Sequence, residues 1–463
     1  MTPEGIEKSS SSYVDPNGFV FFHQGNVYRA IYRTAESFYR QLFEDKTIEK
    51  LISRHHLVET TISGITFPDP EIGLVLQHER VEPATYCVEW CPSMLRDAGC
   101  ALIDLALAIL EKDCILQDCY PWNVLFRGTE PRIIDFTSIV KIDTAWIWPA
   151  YEQFQAFFLR PLILCEQGKG KIARALLYNN IDGLSLNDLA QNVTSLYKAG
   201  HPSVSLQNKL HAYMGRRPSF SIWLRKALEQ GKKKKIDRKV RYRFLNNLLK
   251  KLRRFHFKKN IDHWSNYYSQ MDQTPHENLK FAAISRILNR IHPDSVLDIG
   301  SNTGVFSVLA AKSGARVVSV DSSEACIESL YQKANQEKLN ITPLVIDLLC
   351  PTPSFGFMGR QYPPLVERIK SEFVMCLGLL HHLHIAGRQS FQRISELMNS
   401  LSNRYLICEF VDQLDDNNLL LGAGRPIHYD LQDVVQSLSK YFPSIEILDS
   451  DRPTRKLLIC SKY

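Results

Sequence analysis

The chain has 463 residues, more than one hydrophobic core usually organises, so two domains and a connector are expected. Hydrophobic residues make up 44% and charged residues 23%, the mix of a soluble globular protein, and no stretch approaches the length of a membrane span. The net charge of +7 conceals a strong segregation described below. The opening residues, Met1 to Lys8 followed by four serines, lack the apolar region of a secretory signal. Eleven cysteines show neither metal-ligand spacing nor a disulfide ladder, Cys87 and Cys91 being four apart. A reducing cytoplasm and no metal are the expectation.

In chain order, the first pattern is a predicted hairpin, Gly18 to Tyr32, turning at Gln24-Gly25-Asn26 and followed by polar helices. An apolar helix, Ala101 to Leu110, leads into Ile115-Leu-Gln-Asp-Cys-Tyr-Pro-Trp-Asn-Val-Leu-Phe126 and then Ile133-Ile-Asp-Phe136. Asp118 and Asn123 are five apart, and Asp135 follows twelve later. That spacing is similar to the catalytic loop and metal-binding strand of kinase-like phosphotransferases of the aminoglycoside-kinase type. The resemblance implies an α+β kinase-like domain over residues 1–200, in which the Asp, Asn and Asp serve as base and magnesium ligands. The departures are that Leu116 stands where a histidine is expected, there is no glycine-rich loop, and no lysine occurs between Lys8 and Lys46 or between Lys50 and Lys112. Phosphoryl transfer needs a cation on the nucleotide phosphates, and Arg29 is no isostere of lysine. The expectation is a degenerate fold that holds substrate or partner. Equally, the three residues simply hydrogen-bond a tight loop.

Residues 201–260 read as a basic connector. Arg216 to Lys259 holds 18 lysines and arginines against Glu229 and Asp237, a surplus of +16 that leaves the rest of the chain at −9. Phe244, Leu245, Leu248, Leu249 and Leu252 recur at helical spacing within it. Such an amphipathic stripe docks onto its own acidic chain, is solvated, or binds nucleic acid phosphates or an anionic membrane; internal docking or solvation is favoured.

Residues 261–463 carry the strongest signal. Val296-Leu-Asp-Ile-Gly-Ser-Asn-Thr-Gly304 is an apolar strand ending in Asp298 and running into a glycine turn ahead of a helix, Val305 to Ser313. The next strand, Arg316 to Val320, ends in Asp321, placed to accept from both hydroxyls of a ribose. A dinucleotide site wants glycine where Asn302 stands, and Asp298 would repel a diphosphate. S-adenosylmethionine carries no phosphate, and its ammonium and sulfonium suit a carboxylate at that strand end. Strands are further predicted at Thr342 to Ile346, Phe373 to Leu377, Tyr405 to Phe410, Ile445 to Leu448 and Lys456 to Cys460, with helices at Glu324 to Gln336, Arg388 to Leu401 and Leu431 to Phe442. Continuous apolar runs separated by helices indicate a buried, mostly parallel sheet. Too few residues join the last two strands for a crossover helix, so they form an antiparallel hairpin.

The turn resembles motif I of the class I methyltransferases, and the resemblance spans about two hundred residues. It implies an α/β, seven-stranded Rossmann-like fold with an antiparallel last strand and S-adenosyl-L-methionine as cofactor. It also implies cofactor contacts from Asp298, Gly300, Ser301, Asn302, Gly304, Asp321, Ser322 and Leu379, and from Asp347 to the adenine amino group; a plain turn cap is the other reading of Asp347. His381 and His382, in Gly378-Leu-Leu-His-His-Leu383, stand at the family's motif IV facing the methyl group. There an imidazole takes a proton, or merely packs and orients a loop. Trp264-Ser-Asn-Tyr-Tyr268 and Lys280 match the segment that folds over the cofactor, with Tyr268 on the sulfonium side through cation–π attraction; an aromatic anchor for the linker is the alternative. Glu409 lies on the same edge by topology, contacting substrate or capping a loop.

The whole chain resembles a family of large bacterial methyltransferases, some related to nodulation proteins, through Leu116 to Phe126, Ile134 to Ser138, Trp264 to Tyr268, Leu297 to Gly304, Leu379 to Leu383 and Ile407 to Phe410. The leading expectation is methyl transfer to a heteroatom, oxygen first, of a small molecule or glycan. Methylation of RNA through the basic connector, and a non-catalytic cofactor-binding regulator, are the alternatives. Neither the acceptor nor the oligomeric state is legible, because acceptor pockets are built from loops without periodicity.

Overall fold

The computed structural model describes residues 6–9, 12, 15–54, 57–67, 69–143, 146–195, 197, 236–257, 279–415 and 428–463. The chain divides into two compact units. The first comprises Met1–Val81, Thr85–Leu125 and Pro131–Lys258, and the second Glu82–Ala84, Phe126–Glu130 and Lys259–Tyr463. Among the described residues no helix is long and apolar enough to cross a membrane.

The first unit begins with an antiparallel sheet of β1 (Glu7–Lys8), β2 (Gly18–His23), β3 (Asn26–Tyr32), β4 (Thr60–Ile62) and β5 (Ile72–His78), in the order β1-β2-β3-β5-β4. The predicted hairpin is β2–β3. Gln24 and Gly25 form its two-residue turn with φ of +49° and +78°, the pair of left-handed residues that matches strand twist. Phe21, Tyr28, Ala30, Ile72 and Val75 make one core; the period of two aligns Tyr28 with Ala30, and a register shift opposite Tyr32 brings Ile72 to the face of Val75. Further on, the apolar helix is longer than its periodicity predicted. It runs Pro92–Leu110, because Pro92 presets the backbone at its first position. Short strands follow: β6 (Cys114–Leu116) pairs with β9 (Ile139–Lys141), and β7 (Val124–Arg127) with β8 (Glu130–Ile133).

Within the segment read as a connector, helix Arg238–Arg253 is described and is counted with the first unit. Its apolar stripe, Leu245, Leu248, Leu249 and Leu252, is buried against helix Pro92–Leu110, where Leu252 comes close to Gly99. Arg241 is buried too, and its guanidinium donates to the carbonyls of Trp146 and Ile147. Arg253 lies 3.5 Å from Asp104. The basic run 216–235 lies outside the described residues.

The second unit is a seven-stranded sheet of β10 (Ser295–Ile299), β11 (Arg316–Asp321), β12 (Ile341–Val345), β13 (Ser371–Cys376), β14 (Ser402–Val411), β15 (Ser444–Asp449) and β16 (Arg455–Ser461). The order is β12-β11-β10-β13-β14-β16-β15, the first five strands parallel and β16 antiparallel to both neighbours, as predicted. Helices flank it, so β10 is buried on both faces and reads as a continuous apolar run. Element ends differ by a few residues. The helix expected from Arg388 begins at Phe391, since the Ser390 hydroxyl accepts from Arg393 N and fixes the start. The helix expected to reach Phe442 ends at Ser439.

Leu252 is fully buried, so Leu252→Ala should destabilise the first unit by about 2–5 kcal/mol in chemical denaturation, while Lys250→Ala on the exposed face stays within about 0.5 kcal/mol. Equal effects would mean that this helix does not pack through its apolar stripe.

Candidate cofactor and active site

Parallel pairing aligns Asp298 on β10 with Ser319 on β11, and both strands deliver their carboxyl ends to one edge. The chain leaves β10 through Gly300, whose φ is +70°, and Gly300 N and Ser301 N both donate to the carbonyl of Val320 at 2.9 and 3.1 Å. Asn302 is also left-handed, with φ +51°, a conformation that asparagine tolerates better than most residues. That twist aims its N–H at the Asp321 carboxylate, 2.8 Å away. Ser323 N donates to the other Asp321 oxygen at 2.8 Å. Gly304 closes the turn at φ +81°, where a Cβ would stand 2.3 Å from Leu330.

Asp298 is buried and accepts from the Ser307 hydroxyl at 2.5 Å, which in turn accepts from Ser319 at 2.8 Å. Burial pushes its carboxyl up to about 6, with the neighbouring Asp321 adding to the rise and Ser307 and Lys280 opposing it. Ser307 is a polar residue on an otherwise apolar helix; only its place one turn after Gly304 hinted at this duty. The Ser301 hydroxyl is buried with no partner among the described residues. Such a group asks for a ligand or water.

Over the turn lies the loop that follows β13. Leu379 approaches Gly300 so closely that a Cβ there would be 3.2 Å from it. His381 is buried, and its Nδ1 has no partner among the described residues. Burial first, then His382 and Arg455, lowers its pKa to about 3, and burial lowers that of His382 as well. The two rings lie 4.3 Å apart. Beyond them the backbone forms a π-helical turn, His382–Ala386, that the pattern did not foretell. Asp347 is exposed two residues past β12, and its carboxylate accepts from Leu349 N at 2.9 Å, which is the turn-cap geometry. Ser322 is exposed beside Asp321. Lys280, on helix Leu279–Ile291, forms an ion pair of 2.6 Å with Glu409 of β14, which is buried completely. Tyr268 and Trp264 lie outside the described residues.

The first unit holds a separate cluster. Pairing of Leu116 with Ile139 sets Asp118 beside Ser138, and Ile134 N donates to Asn123 O, bringing Asp135 beside Asn123. Asn123 Nδ2 donates to Asp118 at 3.3 Å and to Asp135 at 3.1 Å. Arg29 on β3 pairs with Asp15 at 3.1 Å and Asp135 at 3.2 Å, and also donates to Thr137. Burial, followed by the Asp135 carboxylate, pushes Asp118 up to about 6.

Residues 267–442 match a family model described as a methyltransferase domain. Over 432 residues the chain is 24% identical to the nodulation protein NoeA of Rhizobium meliloti (strain 1021), covering 90% of this chain and 87% of that protein. Similar solved structures include magnesium protoporphyrin IX methyltransferase ChlM from Synechocystis PCC 6803 with bound SAH, at 20% identity over 39% of this chain and 81% of that one, with a TM-score of 0.28. The N-methyltransferase NodS from Bradyrhizobium japonicum WM9 aligns at 14% identity over 41% of this chain and 98% of that one, with a TM-score of 0.30.

The raised carboxyl of Asp298 has two opposed consequences. Its folded pKa lies above the unfolded value, so its stabilising contribution is full below about pH 4 and is lost as pH rises through 6. Asp298→Asn should therefore stabilise the unliganded protein at pH 8 by on the order of 2–3 kcal/mol, the relieved cost of burying the charged carboxylate, read as a higher melting temperature. The same variant should bind a cationic ligand more weakly, and wild-type affinity should climb between pH 5 and 7 as Asp298 ionises. A flat affinity profile would remove Asp298 from the binding site. Residues 267–442 match a methyltransferase domain, and the cofactor is S-adenosyl-L-methionine.

Proposed function

We propose that the protein transfers a methyl group to a heteroatom, oxygen first, of a small molecule or glycan, with the first unit helping to choose that acceptor. The carrying observation is the pair of carboxylates at adjacent parallel strand ends, Asp298 and Asp321, flanking a left-handed turn with a buried hydroxyl at Ser301 that has no partner among the described residues. The donor set fits the cofactor. Asp298 offers negative charge to its ammonium and sulfonium end, and Gly300, Ser301, Asn302 and Gly304 let backbone approach it. Asp321 and Ser322 serve the ribose, Asp347 the adenine amino group, and Leu379 walls the site above Gly300. When bound, the cofactor supplies a methyl group made electrophilic by the sulfonium.

His381 has the part of orienting the acceptor. Its neutral Nδ1 accepts a hydrogen bond from a hydroxyl, and its burial helps to exclude water. A base held near pKa 3 removes protons poorly at neutral pH, so alignment and desolvation carry most of the rate. His382 braces it from 4.3 Å. All eleven cysteines are free, which supports a reducing, cytoplasmic setting.

Incubating cell extract with the protein and methyl-labelled cofactor should label one class of small molecule or glycan. The variant carrying Asp298→Ala with Asp321→Ala should lose both labelling and cofactor binding by calorimetry; full retention would sink the assignment.

The first unit is read as a kinase-like scaffold that has lost phosphoryl transfer. Support comes from the Asp118, Asn123 and Asp135 cluster beneath an antiparallel sheet, and from Arg29, whose charge is engaged by Asp15 and Asp135 rather than left for a phosphate. ATP with magnesium should not be turned over. Measurable hydrolysis abolished by Asp118→Asn would overturn this.

A further inference from the structure

Lys280 and Glu409 meet in a place where neither charge is easily kept. Glu409 is fully buried and Lys280 almost so; the ammonium lies 2.6 Å from one carboxylate oxygen, and the Ser450 hydroxyl donates to the other at 2.8 Å. The Lys280 ammonium also stands 5.4 Å from the centre of the Phe306 ring, on the helix that follows the cofactor turn. A buried pair of this kind contributes little stability over apolar side chains of similar volume, because desolvation offsets the attraction. Holding the helix to the sheet is therefore a weak reason for charge at this spot.

Its position supplies a better one. The last row paired across β10, β13 and β14 is Ile299, Cys376 and Cys408. One residue further come Gly300, Leu377 and Glu409, so Glu409 stands two strand spacings, roughly 10 Å, from the first glycine of the cofactor turn. A Cβ on Gly378 would lie 3.6 Å from the Glu409 carboxylate, which places that carboxylate under the loop leading to His381. At this depth water screens poorly, and an unbalanced ammonium would oppose a cationic ligand. The cofactor bears a positive sulfur before transfer and a neutral one afterwards, while its remaining groups are the same.

We propose that Glu409 is an electrostatic positioning residue: by neutralising Lys280 it keeps the catalytic edge tolerant of a sulfonium, so that losing either charge alone shifts the preference between the charged donor and its uncharged product. The inference rests on S-adenosylmethionine as cofactor and adds a role for two residues away from the turn.

Calorimetric titration of the full chain with S-adenosylmethionine and with S-adenosylhomocysteine reads this preference directly. Glu409→Gln should lower the donor-to-product affinity ratio about tenfold, the size expected of one charge at roughly 10 Å in an effective dielectric near 20. Lys280→Gln should raise the ratio, and the double variant should return it to within about twofold of wild type. A purely structural link between helix and sheet would weaken both ligands alike, so folded single variants with an unmoved ratio overturn the proposal. Thermal scans report folding of each variant. Should a lone buried charge unfold one single variant, the other carries the test, and in the double variant, which leaves no charge unpaired, a shifted ratio is equally fatal. Failure of wild type to bind either ligand would instead overturn the cofactor assignment, and this proposal with it.

Discussion

Negative charge gathered at one sheet edge is the constraint on which the second unit is built. Parallel strands all end on the same side, and β10, β11 and β14 each bring a carboxylate there: Asp298, Asp321 and Glu409. Withdrawing such groups from water costs several kcal/mol apiece unless each is answered. The three answers differ. Asp298 is answered by Ser307, and burial still makes it keep its proton to unusually high pH. Asp321 receives two backbone N–H groups. Glu409 receives an ammonium and a hydroxyl. What distinguishes them is the kind of answer: burial still holds the Asp298 carboxyl up, whereas Glu409 is satisfied by a cation within the protein.

The left-handed turn follows from the same constraint. Only with Gly300 and Asn302 at positive φ does the loop turn its amides back onto Val320 and Asp321 while leaving its outer surface low. The first unit meets a comparable accumulation, Asp15, Asp118 and Asp135, and answers it internally with Arg29, Asn123 and Thr137. That cluster has its cation built in.

Much of this was legible in the residues. The apolar runs around Val296, Val318, Val374 and Leu406 gave parallel strands because strands buried on both faces carry no alternation, and the short link after Asp449 gave the antiparallel pair. Asp298 and Asp321 stood out because strand ends are fixed by periodicity. The Lys280 partnership with Glu409 was not legible: 129 positions separate them, and only the fold brings helix Leu279–Ile291 and β14 together. The low basicity of His381 was equally hidden, since it arises from burial and from Arg455 on a distant strand. Helix starts at Pro92 and Phe391 escaped because a proline at the first position and a serine cap, not apolar spacing, set them.

The π-helical turn His382–Ala386 holds one residue more per hydrogen-bonded loop than an α-helix would. Each residue of helix rotates the chain by about 100°, so gaining or losing a single residue there swings whatever the segment presents through more than a quarter turn. The sheet and the cofactor turn need not move at all. Length in this short stretch, rather than side-chain replacement, thus sets which way the residues around it face.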